Sequence, residues 1–96
     1  MYILVTYDVD TTSKEGARRL RCVAKACLDY GQRVQNSVFE ADLDYSTFLK
    51  LKARLIKLID EEKDSLRFYY LGNNWEKRVE HIGAKETYNP EGVIII

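Results

Sequence analysis

Histidine and proline each occur once in these 96 residues, at His81 and Pro90, and there are only five glycines and two cysteines. A single imidazole leaves no paired metal-ligand spacing, and neither a nucleophile motif nor a glycine-rich phosphate loop is present. His81, late in the chain and in an edge-strand context, reads as a half-buried packing residue. Cys22 and Cys27 lie in a helical pattern about 500° of rotation apart, so they point in different directions and cannot bridge each other. Neither belongs to a Cys-x-x-Cys pair, which argues against zinc. An excess of one charge is missing too: 15 Lys and Arg balance 15 Asp and Glu. That balance argues against a protein that coats nucleic acid indiscriminately, but a local stripe is enough to meet phosphates. The charge is in fact uneven, with ten cations against seven anions in residues 1–57 and five against eight in 58–96. No apolar run approaches a membrane span, and the chain opens directly on a strand pattern. The expectation is a cytoplasmic protein without membrane contact, folded as one domain over 1–96.

The stretch with most to say is MYILVTYDVD at 1–10. Tyr2–Asp8 is rich in aromatic and β-branched residues, as a buried strand requires. Alternation places Tyr2, Leu4, Thr6 and Asp8 on one face and Ile3, Val5, Tyr7 and Val9 on the other. Asp8 then ends a central strand, with Asp10 two residues on. One reading makes these carboxylates the start of acidic chemistry; the other makes them a loop start and a helix cap. Thr12 with Glu15 forms a capping-box pattern before a helix running to about Asp29, with Gly31 expected as a left-handed stop. Ala17, Leu20, Val23, Ala24, Cys27 and Leu28 make its apolar side. Lys14, Arg18, Arg21 and Lys25 make a basic stripe beside it, while Arg19 points away. The stripe is either a solvated face or a phosphate-contact surface.

Gln32–Leu43 is strand-like, but its alternation switches at Asn36-Ser37, which predicts an irregular bend there. Asp44 is expected to cap a second helix from Tyr45 to about Asp60, with Phe48, Leu51, Leu55, Leu58 and Ile59 inward. Residues 60–64 read as a solvated loop. Ser65–Leu71 alternates as a strand, followed by a turn signal at Gly72-Asn73-Asn74 and a short edge strand over Arg78–Ile82. Val93–Ile96 is a β-branched tail that needs a pairing partner, and residues 83–96 are expected to reach a second copy of the chain. The order strand, helix, strand pair, helix, strand is that of an α+β, ferredoxin-like βαββαβ sandwich with an extra C-terminal strand.

Among candidate chemical groups, one aspartate is a poor metal site alone, because Mg²⁺ is usually held by about one or two carboxylates plus water and substrate phosphates. A two-fold homodimer brings two copies of Asp8 together and doubles the ligand count. Such a metal activates water and polarises a phosphodiester. Ser37, at the bend, is the candidate for holding a phosphate or water nearby. Tyr7 supports the site from the core, and Asp10 reads as an outer or capping group. Arg18, Arg19, Arg21 and Lys25 are expected on the phosphate backbone. A sheet-face RNA binder stacking bases on Phe68, Tyr69 and Tyr70 is the weaker alternative, since alternation buries at least one parity.

YDV at 7–9, the basic helix with Arg18-Arg19, and above all GQRVQNSVFE at 31–40 resemble the small CRISPR-associated endonuclease-like proteins of the spacer-acquisition machinery. The likeness continues through SLRFYYLG at 65–72 and covers essentially the whole chain. It implies a ferredoxin-like homodimer with swapped C-terminal strands and a divalent metal, Mg²⁺, between the two copies of Asp8. It further implies endonuclease action on RNA or double-stranded DNA, and a role as the bridge between two dimers of the CRISPR integrase. Positions that match for function are Tyr7, Asp8, Arg19, Arg33, Ser37 and Phe39. Two alternatives remain open on this resemblance: a non-catalytic DNA-binding scaffold of the integrase, and a toxin-like ribonuclease on the same fold.

Overall fold

The computed structural model describes residues 1–71 and 79–84. In chain order the elements are β1 (Tyr2–Asp8), α1 (Lys14–Tyr30), β2 (Gln32–Gln35), β3 (Val38–Asp42), α2 (Tyr45–Leu58), β4 (Ser65–Tyr70) and β5 (Val79–Gly83). The strands form one sheet in the order β2-β3-β1-β4-β5, with every neighbouring pair antiparallel. This is the expected βαββαβ arrangement, and the short edge strand expected over Arg78–Ile82 is Val79–Gly83, paired with β4 as the fifth strand. The expected pairing of Val93–Ile96 lies outside the described residues.

β1 is central because its sequence suits burial from both sides, and it pairs with β3 and β4 along nearly its whole length. Its Ile3, Val5 and Tyr7, with Val9 just beyond its end, face the helices and join Val23, Ala26 and Cys27 of α1 and Phe48, Leu51 and Leu55 of α2. Phe39 of β3 and Leu66 and Phe68 of β4 complete that core, each at most 1% exposed. Burial of such side chains contributes roughly 1.5–3 kcal/mol apiece, which is what holds two helices against one sheet face. Leu28, expected inward, is instead 51% exposed, and Ala26 takes the buried position. The opposite face carries Leu4, Thr6 and Asp8 of β1 beside Tyr69, Arg67 and Ser65 of β4.

The caps differ in detail from the sequence pattern. Ser13, not Thr12, begins α1, its hydroxyl accepting from the Gly16 N–H at 3.0 Å. Gly31 is extended (φ −154°) rather than left-handed. Its need for glycine is steric: a Cβ would lie 2.2 Å from the Glu40 carbonyl oxygen. Asp44 caps α2 as expected, accepting from the Thr47 N–H at 2.7 Å. Both cysteines are free thiols.

Candidate functional site

Asp8 is the last residue of β1, opposite Ser65 of β4, and its side chain is exposed on the face away from the helices. Among the described residues no group of three or more His, Cys, Asp or Glu side chains is placed to hold a metal ion. Within one chain, Asp8 contributes one carboxylate at this strand end. No helix among the described residues is long and apolar enough to cross a membrane.

The loop after Asp8 is fixed from below. Asp10 does not face the same way as Asp8 in a continuing strand. Its Oδ1 turns back to accept from the Thr12 N–H at 3.0 Å and the Thr12 hydroxyl at 2.7 Å. These bonds lower the Asp10 pKa and make the residue a turn-forming cap. The Asp10 N–H donates to Asp64 Oδ1 at 3.0 Å. Asp64, read from the sequence as part of a solvated loop, is fully buried at 0% exposure. Its Oδ2 also accepts from the Asp60 N–H at 2.9 Å and from Arg19 Nε at 2.8 Å, while Arg19 Nη2 reaches Oδ1 at 3.2 Å. Burial by itself would raise the Asp64 pKa, but the Arg19 guanidinium and the Asp60 and Asp10 amides outweigh it and hold the carboxyl below its ordinary value. α1 approaches this loop so closely that a Cβ on Gly16 would sit 1.9 Å from the Asp10 carbonyl oxygen. Arg19 thus turns inward to tie α1, the end of β1 and the start of β4 together, and its guanidinium is committed there rather than displayed with the stripe. Sequence reasoning missed Asp64 because an acid inside the run Asp60–Asp64 looks solvated; only its position directly before a buried strand hinted otherwise.

The irregular bend is a tight hairpin between β2 and β3, with a register shift between Arg33 and Gln35. Ser37 takes a left-handed φ of 62°, uncommon for a residue with a Cβ. The Ser37 carbonyl accepts from the Tyr7 N–H at 3.1 Å, which pins the hairpin tip to β1 one residue before Asp8. The Tyr7 ring stacks on Phe39 with centroids 5.9 Å apart, and the Arg33 guanidinium lies 5.1 Å over that same Phe39 ring. Burial raises the Tyr7 pKa, with Arg33 and Ser37 pulling it partly back. Between this tip and α1 lies a concavity of about 240 Å³, rimmed by Arg21, Arg33, Asn36 and Ser37 over a floor of Tyr7, Leu20 and Ala24. Alternation puts Tyr7 on the helix side of the strand end and Asp8 on the other, and Ser37 lines the concavity beside Tyr7.

Arg18, Arg21 and Arg33 are exposed and have no ion-pair partner among the described residues. Lys25 sits 4.0 Å from Asp29 one helical turn away, an exposed contact of little energetic weight. A second concavity, of about 290 Å³, lies at the opposite end of β1 beside Tyr2, Glu40 and Asp42, and none of the expected site residues lines it.

Residues 1–79 match the family model described as CRISPR associated protein Cas2. The chain is 57% identical over 96 residues to the CRISPR-associated endoribonuclease Cas2 of Nitratidesulfovibrio vulgaris, covering 100% of this chain and 94% of that one. It is 59% identical over 95 residues to the CRISPR-associated endonuclease Cas2 of Halalkalibacterium halodurans, covering 99% of each. The crystal structure of Streptococcus pyogenes Cas2 at pH 6.5 superposes with a TM-score of 0.70 at 58% identity, over 86% of this chain and 100% of that one. The sheet order, the strand-end aspartate and the matched length lead to one conclusion: this chain belongs to the Cas2 family of CRISPR-associated proteins.

Proposed function

We propose that this chain acts in CRISPR adaptation as a homodimeric, metal-dependent endonuclease that cuts phosphodiesters in RNA or double-stranded DNA and also bridges the spacer integrase on DNA. The observation that carries the reading is the exposed Asp8 at the end of the central strand, on the sheet face that the helices leave open. The names of two relatives, an endoribonuclease and an endonuclease, support nuclease action, with RNA named for the first.

In a homodimer, two copies of Asp8 would hold a hard divalent cation such as Mg²⁺. When bound there, such an ion would supply Lewis-acid polarisation of the phosphodiester and a more acidic water. The rest is done by protein groups. The Asp64–Arg19 pair and the Asp10–Thr12 turn hold the strand end that presents Asp8. Arg18, Arg21 and Arg33 neutralise the nucleic-acid backbone without reading sequence. Tyr7 supports the strand end from the core side.

The test is Asp8→Asn, assayed with Mg²⁺ on RNA and on duplex DNA while light scattering follows the oligomer. Cleavage should disappear while the dimer and DNA binding persist. Cleavage that survives in carefully purified protein places the catalytic centre elsewhere, and a monomer at micromolar concentration removes the shared metal. Loss of cleavage with integrase bridging intact separates the two roles; a pure scaffold shows no cleavage in the parent protein either.

A further inference from the structure

The concavity between α1 and the hairpin tip is not explained by a carboxylate-bound metal, because Asp8 lies on the other face of β1. We propose that it is a nucleotide pocket, taking one unstacked nucleotide unit of a strand with its phosphate on Arg21 and Arg33 and its base over Tyr7, Leu20 and Ala24. This rests on the reading that nucleic acid is the ligand, but not on the metal or on cleavage.

Charge is the first argument. Two guanidinium groups from separate elements, α1 and the edge strand β2, share the rim, and no carboxylate lines the cavity. Arginine forks match phosphate oxygens in bidentate geometry, and neither of these arginines is engaged by an acid among the described residues. Preorganisation is the second. Arg33 rests over the Phe39 ring at 5.1 Å, a cation–π contact that limits the side-chain freedom to be lost on binding. The hairpin tip is held in place by the bond from the Tyr7 N–H to the Ser37 carbonyl, and Ser37 adopts the left-handed φ of 62° that presents Asn36 and Ser37 at the rim. A left-handed serine costs energy, and such backbone concentrates where a side chain or peptide must be aimed.

Size and shape are the third argument. At about 240 Å³ the cavity is below the ~300–1,000 Å³ typical of drug-sized ligand sites, so it holds part of one nucleotide unit and leaves no room for a second. A base held in a duplex stack cannot enter it, whereas an unstacked base can lie on an aromatic and aliphatic floor. Tyr7 and Asp8 are adjacent in sequence, so a strand seated here passes over the end of β1 towards the open face. The pocket then holds a nucleotide next to the one presented to Asp8 and favours single-stranded or frayed substrate.

The experiment is calorimetric titration of the full-length protein, in EDTA and at low salt, with adenosine 5′-monophosphate, adenosine, inorganic phosphate, a single-stranded pentanucleotide and its duplex. The monophosphate should bind more tightly than either adenosine or phosphate, and the single-stranded pentamer more tightly than its duplex. Arg33→Gln and Arg21→Gln, both at exposed positions, should each weaken the monophosphate about tenfold, the loss expected for one charge-assisted contact. Ala24→Leu, checked by its melting temperature, should reduce the monophosphate to the affinity of phosphate alone by filling the floor. Asp8→Asn should bind like the parent protein, so a failed cleavage assay leaves this result intact. Three results overturn the proposal: phosphate binding as tightly as the monophosphate, adenosine binding as tightly as the monophosphate, or no response to either arginine substitution. Equal competition by duplex and single strand overturns it as well.

Discussion

Removing the Asp64 carboxylate should unfold this protein more readily than removing any surface charge. Asp64→Ala deletes the acceptor of four hydrogen bonds: from the Asp10 and Asp60 amides and from Nε and Nη2 of Arg19. Breaking a buried ion pair by deleting one partner costs about 3–5 kcal/mol. The Arg19 side chain is 17% exposed and can turn to solvent, so the two orphaned amides carry much of the loss. Small domains have roughly 5–15 kcal/mol of total stability, and 1 kcal/mol moves the melting temperature about 4–8 °C at this size. The expected drop at pH 7 is therefore ~12 °C or more. Asp64→Asn keeps the shape but loses the charge, and should fall between the two. Despite burial, the Arg19 guanidinium and the two amides hold the folded Asp64 carboxyl below the ordinary aspartate range, so its contribution is fully present above that range and is lost as pH falls through the folded pKa. The gap between parent and Asp64→Asn should thus be constant near neutrality and close only in strong acid. Circular-dichroism melts from pH 7 down to about pH 2 test both points. An Asp64→Ala protein melting within ~4 °C of the parent at pH 7 refutes the account.

Gly16→Ala should destabilise despite the better helix propensity of alanine, because its Cβ would lie 1.9 Å from the Asp10 carbonyl. About 1–3 kcal/mol is the usual cost of such crowding, and an unchanged chemical-denaturation midpoint contradicts it. Replacing Arg18 and Arg21 together by glutamine should flatten the slope of log affinity for duplex DNA against log salt by about 1.8, at ~0.9 per phosphate contact. A slope unchanged from the parent makes the stripe a solvated face.

What the residues determine on their own is the local grammar. Alternation in Tyr2–Asp8 sorts core from open face correctly, since a strand has only two sides, and the bend at Asn36-Ser37 is visible as a parity switch. Aspartate before a helical pattern marks the α2 cap, and the GQRVQNSVFE stretch carries the family likeness. Other features depend on contacts distant in sequence. Asp64 is buried because Arg19, Asp10 and Asp60 converge on it, a meeting that no window around residue 64 contains. Arg19, expected on the phosphate backbone, is held at Asp64 by the same meeting. Leu28 is exposed because the helix presents Ala26 to the sheet, a rotation of the apolar face decided by how α1 packs. The concavity exists only because helix α1 with its Arg21 and the β2–β3 hairpin with Arg33 and its tip close around one tyrosine of β1. Strand and helix periodicity report which side of an element is buried, but only three-dimensional packing decides which distant side chain meets it there.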